Sequence, residues 1–545
     1  MFALIVLGAV SAGAWRLFGF LAPERLAALE RRVAVEIFDR GMKAWRTRPL
    51  PEGPDLWYSA TRYDAALAAA WLRVGLYNLC FEKNATLGRK QYGKAIANAA
   101  RFSPRDRAFA EAVAPLFEPT RDAKAAGSRL AALCTSDPGD GETCLWGGLV
   151  AQLDGDASAA RAGFEDARRV DPDNLVVLRE EGRVLLTGDQ ADQEAAVPLL
   201  GRCASLRPEG FDCEALYLQA LEATCKSGDA ERQAHLWARA APEESRPYMH
   251  LIWALGGRRA PPNEIDDAVK QLTDRMGDKS WRAQAPHEWA ALRATWVGDF
   301  VTEEREAREL AKNDAWAERR YERPEDETWK VIEARLESGD VPGAKRAAAG
   351  VLDERKAIRA KAGGATAEDL DHSKVPMMLG LLRDERPDEW RTFTDQRSAR
   401  LASLQATRPS ARARDDFWHG QFGMVPMTPD DAREAVAAAH ALPVSGSMSE
   451  HGFWAADLGL ALSMTGSHDE AVRTLRAAVG TCEGPVSPFE WMRAHLALAK
   501  VLEADGDKPE ARALYKVIVD TWGGAKPRSV AADEARSRLL ALGEK

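Results

Sequence analysis

Small and apolar residues recur along this chain at the spacing of an α-helix, in short segments separated by glycine, aspartate and proline. Leu145 and Leu149 lie four positions apart, and Ala160, Phe164 and Ala167 follow at intervals of four and three. Each pattern predicts an amphipathic helix that buries one face. No run of alternating Val, Ile or Thr indicates a sheet, so the sequence predicts an all-α fold.

The Gly155-Asp156 pair separates these two predicted helices and predicts a tight turn between them. Glycine adopts the left-handed conformation that ends a helix, and aspartate accepts hydrogen bonds from the free N–H groups that begin the next one. The pair recurs, with Gly466-Ser467 as a variant, and each copy predicts another helical hairpin: Gly188-Asp189, Gly228-Asp229, Gly298-Asp299, Gly339-Asp340 and Gly506-Asp507.

Prolines give the hairpins a regular period. Pro104, Pro138 and Pro172 are 34 residues apart, and Pro208 and Pro242 follow at intervals of 36 and 34. Proline disfavours a helical conformation in the residue before it, so each proline predicts a boundary between hairpins. A fixed period of this length is typical of a solenoid, in which each hairpin buries its apolar face on the next.

The clearest unit carries a family resemblance. Gly148, Ala160 and Ala167 are small, Phe164 and Pro172 are in register with them, and the pattern resembles the tetratricopeptide (TPR) repeat. The resemblance implies a TPR-like α-solenoid, a right-handed superhelix of helical hairpins whose concave face holds a protein or peptide. The chain is predicted to have four parts. Residues 1–23 form an N-terminal hydrophobic helix (membrane anchor or signal-like segment), and residues 24–360 form a TPR-like array. Residues 361–450 form an irregular helical junction, and residues 451–545 form C-terminal TPR-like repeats with a capping helix.

A narrower resemblance lies in two segments and in the paired cysteines described below. Ser103–Glu118 and Tyr515–Leu542 are similar to the extracytoplasmic TPR sensor regions of receptor-type bacterial serine/threonine kinases. In those receptors a cytoplasmic kinase domain precedes a membrane helix and an external TPR array. This sequence contains no kinase-type Gly-rich loop and no VAIK-like, HRD or DFG segment, so kinase activity is not carried over.

The N-terminal segment is apolar. Residues 2–14 carry no charge, and the stretch to Pro23 is about long enough to cross a bilayer with Arg16 at an interface. A second interpretation is a cleaved signal peptide that ends at Ala14, and a third is an amphipathic helix packed on the array. No Lys or Arg precedes the segment, which argues against the first two interpretations.

Two cysteine pairs recur at equivalent positions of the repeat. Cys134 and Cys144 are ten residues apart, as are Cys203 and Cys213, and each pair straddles a predicted turn. Adjoining helices can bring Cα atoms within the roughly 7 Å that a disulfide requires, and disulfides indicate an oxidising compartment. Alternatively, each cysteine fills a small buried position as a thiol. The remaining cysteines are expected to be buried thiols: Cys80, Cys225 and Cys482.

Two topology signals disagree. Arg25, Arg31 and Arg32 follow the N-terminal segment, and the positive-inside tendency would place that flank in the cytoplasm. Disulfides would place the array outside the cytoplasm. We expect a cell-envelope protein, anchored in an inner membrane with the array outside, and the cytoplasmic side is the alternative.

Charge and motifs exclude several function classes. The formal net charge is −9 and the pI is about 5.7, whereas nucleic-acid binding usually needs a basic face, so no nucleic-acid partner is expected. No HExxH, CxxC, GxSxG or Walker segment is present, so we expect no metal, no cofactor and no catalysis. An enzyme would have to place its site in the irregular 361–450 region, near His372 or His419.

The chain contains 17 tryptophans, most of which we expect in the core. The alternative is that some of them anchor a peptide in the concave groove or form an enclosed pocket for a small molecule. Aromatic residues are also concentrated between residues 415 and 431. This stretch is interpreted either as a loop that fills the junction or as an exposed partner-binding loop, with four candidate contact residues: Phe417, Trp418, Phe422 and Met424.

These features predict a non-catalytic scaffold or sensory module that binds a protein or peptide partner at the cell envelope. A structural subunit of a larger membrane-associated assembly is the alternative. The sequence identifies neither the partner nor the oligomeric state.

Overall fold

A computed structural model of the chain describes residues 23–48, 51–188, 190–207, 211–258, 260–277, 279–311, 324–362, 374–407, 414, 417–423, 428–442, 452–480 and 487–543. The apolar N-terminal segment lies outside these residues up to position 22, as do His372, Met424 and Cys482. None of the described helices combines the length and the apolar composition needed to cross a bilayer.

The described residues fold into α-helices without a strand, which confirms the all-α prediction. Asp299 and Lys526 form an isolated β-bridge. The helices are α1 (Pro23–Thr47), α2 (Glu52–Tyr63), α3 (Ala68–Cys80), α4 (Ala85–Ala97), α5 (Pro104–Val113), α6 (Ala123–Ser136), α7 (Gly141–Asp154), α8 (Ala157–Val170), α9 (Leu175–Leu186), α10 (Gln190–Leu206), α11 (Phe211–Ala223), α12 (Ser227–Ala240), α13 (Arg246–Gly257), α14 (Pro262–Arg275), α15 (Lys279–Trp296), α16 (Phe300–Ala311), α17 (Pro324–Glu337), α18 (Val341–Ala362), α19 (Val375–Leu381), α20 (Pro387–Thr407), α21 (Pro429–Ala441), α22 (Gly452–Met464), α23 (His468–Gly480), α24 (Pro488–Asp505), α25 (Lys508–Trp522) and α26 (Val530–Ala541).

Many consecutive helices pack against each other as hairpins, and the α7–α8 hairpin shows how closely they approach. A Cβ atom on Gly148 would lie 2.7 Å from the Phe164 ring, and one on Gly163 would lie 2.7 Å from the backbone nitrogen of Gly148. Glycine permits this approach because it has no Cβ atom. Ala160, Phe164 and Ala167 of α8 are buried, as the TPR-like pattern predicts. The fold is therefore a TPR-like α-solenoid built from helical hairpins.

The Gly-Asp turn between α7 and α8 forms as predicted. Gly155 ends α7 in the left-handed conformation with φ 78°, and the Asp156 side chain accepts a hydrogen bond from the Ala159 N–H at 2.9 Å. Other glycines of the predicted turns are also left-handed: Gly298, Gly339, Gly466 and Gly506.

The turn predicted at Gly228 lies earlier in the structure. Its left-handed residue is Cys225, with φ 57°, and α12 begins at Ser227, so Gly228 lies inside the helix. The Lys226 N–H donates to the Leu221 carbonyl at 2.8 Å and closes α11. The cysteine therefore occupies the position that glycine takes in the other turns.

The chain forms two compact units. Unit 1 contains the described residues up to Leu185 together with Pro198–Leu216, and unit 2 contains Leu186–Val197 and the residues from Tyr217 onward. The array predicted over residues 24–360 is therefore divided between two units.

In unit 1, aromatic side chains from distant helices meet. The Trp45 ring of α1 lies parallel to the Trp146 ring of α7, with centroids 5.8 Å apart. Trp57 and Phe81 lie against the same Trp45 ring, at centroid distances of 5.0 and 5.4 Å. The three tryptophans are at most 1% exposed. Their side chains fill the space between α1 and α7.

In unit 2, the C-terminal helices pack against helices that occur much earlier in the chain. The Trp522 indole N–H of α25 donates to the Thr295 carbonyl of α15 at 2.8 Å, across 227 residues of sequence. Trp522 also packs edge-on against Phe300, with ring centroids 5.3 Å apart. The Ser529 hydroxyl at the start of α26 donates to the Glu337 carboxylate at 2.6 Å. These contacts hold α24–α26 against α15–α17.

Candidate binding site

The predicted partner-binding loop is buried in the structure. Phe417, Trp418 and Phe422 are 4%, 0% and 3% exposed, and they belong to the core of unit 2. The Trp418 indole N–H donates to the Ala435 carbonyl at 2.9 Å. The exposed-loop interpretation is therefore wrong for these three residues, which fill the junction instead, and Met424 lies outside the described residues.

The junction region provides no larger group of catalytic side chains among the described residues. His419 Nδ1 lies 3.3 Å from the Asp457 carboxylate, and this pair lies beside the buried aromatic residues. In the described part of the chain, no three His, Cys, Asp or Glu side chains are arranged as metal ligands.

The structure brings both predicted cysteine pairs together. The Cα atoms of Cys134 and Cys144 are 5.0 Å apart, those of Cys203 and Cys213 are 5.5 Å apart, and each pair is joined as a disulfide. Cys80 is a free thiol, and burial raises its pKa to about 12.

Cys225 differs from the prediction that it is a buried free thiol. It is disulfide-bonded in the structure. Its left-handed backbone and its place at the end of α11 were not signalled by the repeat pattern.

We expect peptide mapping without reductant to recover Cys134 linked to Cys144 and Cys203 linked to Cys213, with Cys80 as a free thiol. The measurement is mass spectrometry after alkylation and denaturation of protein purified from the native host under non-reducing conditions. Complete alkylation of the four paired cysteines before reduction would contradict the pairing, and it would remove the support for an oxidising compartment.

Unit 2 contains a cavity of about 450 Å³, which we call the tryptophan pocket. Its walls come from the region of α13–α15 on one side and from α24 and α25 on the other. The lining is mostly apolar and includes Ile265, Trp296, Val297, Trp491, Met492 and Trp522. The packing of the C-terminal helices against α15–α17 thus creates a concave site that neither part forms alone.

Each tryptophan of the pocket is positioned by a different contact. A Cβ atom on Gly256 would lie 2.4 Å from the Trp296 ring, so this ring rests directly on the α13 backbone. The Trp491 ring lies 3.9 Å from the His495 imidazole, measured between centroids. Trp522 is fixed by its hydrogen bond to α15. Trp296 and Trp491 remain only half-buried, so part of each indole is accessible.

Two charged residues, Arg293 and Asp520, lie in the lining of the tryptophan pocket. Arg293 is ion-paired with Asp266. Asp520 is exposed on α25 and makes no ion pair or hydrogen bond with the described residues. The charge of the arginine is therefore balanced, whereas that of Asp520 is not.

An acidic cluster, Glu303, Glu333 and Glu490, lies where α24 meets α16 and α17. Arg493 of α24 donates to Glu333 at 2.8 Å and to Glu490 at 3.3 Å. Burial, and then repulsion from Glu490, raises the pKa of Glu333 to about 7 against the charge of Arg493. Glu303 is 2% exposed, and burial raises its pKa well above the usual value. The contact of α24 with α17 is therefore expected to depend on pH, because Glu333 changes its charge near neutral pH.

Glu303→Gln is expected to flatten the dependence of stability on pH. A carboxyl group with a raised folded-state pKa keeps its proton when the unfolded chain releases it, so stability falls as pH rises above about 4.3 and through the folded-state pKa. Glutamine does not titrate, so the stability of the variant relative to the original chain should increase from pH 5 to pH 8. Urea unfolding at both pH values measures the difference.

Exposed Glu243 provides the matched control for that measurement. Glu243→Gln should leave the pH dependence unchanged. Equal slopes for the original chain and Glu303→Gln would show that Glu303 releases its proton in the folded protein at its ordinary pKa.

The sequence contains little indication of the tryptophan pocket. It places Trp296 and Trp491 at apolar positions of helices but assigns them no face, and no motif surrounds Asp520. The available signal is the Gly256-Gly257 pair at the end of α13, since glycines in a helix often mark a close approach.

Comparison with known proteins does not assign the chain to a family. No protein-family profile matches it, and no curated protein is detectably similar in sequence.

Several solved structures of helical proteins share a distant likeness. The match to a chain in the structure of Naa15/Naa10 bound to HypK-THB has 12% sequence identity and a TM-score of 0.24, and it covers 90% of this chain and 84% of the matched chain. The match to the TPR domain of P58(IPK) has 14% sequence identity and a TM-score of 0.20, and it covers 74% of this chain and 100% of the matched chain. The match to a chain in the structure of a human IFIT1 dimer with m7Gppp-AAAA has 11% sequence identity and a TM-score of 0.33, and it covers 92% of this chain and 95% of the matched chain. Because these scores are low, the fold assignment rests on the hairpins of this chain itself.

Proposed function

We propose that this protein is a non-catalytic binding module of the cell envelope, which holds a protein or peptide partner and receives part of it in the tryptophan pocket. The observation that carries the proposal is the cavity of about 450 Å³ with three tryptophans in its lining. Ligand sites typically have volumes of roughly 300–1,000 Å³, apolar walls and a few polar groups. Tryptophan is also among the residues that most often anchor a partner.

The position of the pocket suits one side chain of a longer partner. Val297 is 60% exposed and Asp520 is also exposed, so the pocket opens at the surface of unit 2. A peptide that runs along this surface can insert a single residue, as in many peptide-recognition grooves. Within unit 1, in contrast, the space between α1 and α7 is filled by Trp45 and Trp146.

The cell-envelope location and a sensory role are part of the same proposal. The pairings Cys134–Cys144 and Cys203–Cys213 support an oxidising compartment. The apolar segment over residues 1–23 would attach the chain to a membrane. The resemblance to receptor sensor regions supports a role in detecting a partner outside the cytoplasm.

Selection from a phage-displayed library of random dodecapeptides tests the proposal. The purified full chain is the bait, and enriched peptides are then measured on Trp491→Ala and on Trp390→Ala. Trp390 is the matched control, a half-buried tryptophan of unit 2 outside the pocket. We expect Trp491→Ala to weaken binding at least tenfold, because truncation of a central anchor commonly costs about 2 kcal/mol or more. Trp390→Ala should have little effect.

Two results would contradict the proposed function. Either the selection enriches no peptide, or the enriched peptides bind Trp491→Ala as tightly as the original chain. Circular dichroism of both variants establishes beforehand that a loss of binding is not a loss of fold.

A further inference from the structure

We infer that the residue received by the tryptophan pocket is cationic, an arginine or lysine side chain of the peptide partner. The inference rests on the proposed function and specifies the chemistry of the same site. Three features carry it: an unbalanced carboxylate, accessible indole rings and an apolar floor.

The two charged residues in the lining of the pocket favour a cation. Arg293 lies in the lining, but Asp266 balances its charge. Asp520 lies in the same lining without a partner among the described residues. Of the two charged residues in the lining, Asp520 is therefore the one without an ion-pair partner among the described residues, and an anionic group would be repelled by it.

The indole rings attract the same kind of group. A guanidinium or ammonium group near an aromatic face is stabilised by the charge distribution of the ring. Trp296 and Trp491 are only half-buried, so part of each ring is available. This chain already uses the interaction elsewhere, since Lys94 Nζ lies 3.8 Å from the centroid of the Trp71 ring.

The floor of the pocket suits the aliphatic part of such a side chain. Ile265 and Met492 line the cavity and are 4% and 1% exposed. Arginine and lysine bury their methylene stems along apolar surface while the charged end stays near water. Asp520, exposed on α25, then offers a carboxylate to that charged end.

Isothermal titration calorimetry with two capped tripeptides tests the inference. One is acetyl-Leu-Arg-Leu-amide, and the other carries citrulline, which is neutral and nearly the same shape, in place of arginine. The full chain should bind the arginine peptide about tenfold more tightly, because the indole rings and the Asp520 carboxylate both favour a cation over a neutral group. Asp520→Asn should weaken the arginine peptide about threefold to fivefold and leave the citrulline peptide unchanged.

Asp469→Asn is the matched control, since Asp469 is an exposed aspartate of unit 2 without a partner among the described residues. It should change neither affinity. Three results would each overturn the inference: equal affinities for the two peptides, tighter binding of the citrulline peptide, or no effect of Asp520→Asn. The proposed function would then stand with an apolar anchor residue in the pocket. Absence of binding by both peptides would also overturn it, and the library selection would then decide the proposed function separately.

Discussion

Trp522→Ala is expected to lower the free energy of unfolding of unit 2 by about 4 kcal/mol, the range found when a buried tryptophan is truncated. Trp522 is 1% exposed, and its ring contacts Phe300 and Phe489 at centroid distances of 5.3 and 5.5 Å. The substitution leaves a cavity and also removes the hydrogen bond to the Thr295 carbonyl. The C-terminal helices would lose their main anchor on α15 and α16.

Hydrogen–deuterium exchange locates this effect. In Trp522→Ala, backbone protection should fall in α15 and α16 as well as in α25, although the sequence change lies in α25 alone. Leu540 is 62% exposed, and Leu540→Ala is the control that should change stability by less than about 0.5 kcal/mol. Loss of protection confined to α24–α26 would contradict the packing of these helices on α15 and α16.

Arg73→Met is expected to destabilise unit 1 by about 3 kcal/mol, because Glu142 and Asp106 would lose their buried counter-charge and keep only the partly exposed Arg105 as an ion-pair partner. Arg73 has 2% of its side chain exposed and donates to Glu142 at 2.9 and 3.0 Å. It also lies 2.7 Å from Asp106. Burial raises the pKa of Glu142, but Arg73 and Arg105 together more than offset this effect, and the resulting pKa is lowered.

Arg101→Met provides the comparison within the same unit. Arg101 pairs with Asp64 at 2.8 Å, but 44% of its side chain is exposed, so its loss should cost less than about 1 kcal/mol. Chemical denaturation of both variants measures the two losses. A loss for Arg73→Met no larger than that for Arg101→Met would show that the buried network contributes little to stability.

The local pattern of the sequence predicts the hairpins well, because the contacts within a hairpin join residues close in sequence. Gly148 and Phe164 are 16 positions apart and meet as the repeat requires. The left-handed glycines at Gly155 and Gly506 follow from the same local signals.

Contacts between distant segments are not predictable from this pattern. Trp522 meets Thr295 across 227 residues, and periodicity carries no information on such a pairing. The tryptophan pocket depends on it, so the candidate site was not predictable either.

The aromatic segment near residue 418 shows a related difficulty. Its composition alone does not distinguish an exposed adhesive loop from a buried plug. The decisive fact is that the Trp418 N–H reaches the Ala435 carbonyl at 2.9 Å, which permits complete burial of the indole. Cys225 is similar, since only the closing of α11 shows that a cysteine takes the left-handed position.

Site-specific photo-cross-linking tests most directly whether the tryptophan pocket is the binding site. A benzoylphenylalanine replaces Val297 in the lining or Leu236 outside it; both positions belong to unit 2 and are 60% and 51% exposed. A library-selected peptide should form a covalent adduct with the chain labelled at position 297, and not at position 236. Cross-linking at position 236 alone, or equally at both positions, would contradict binding at the pocket.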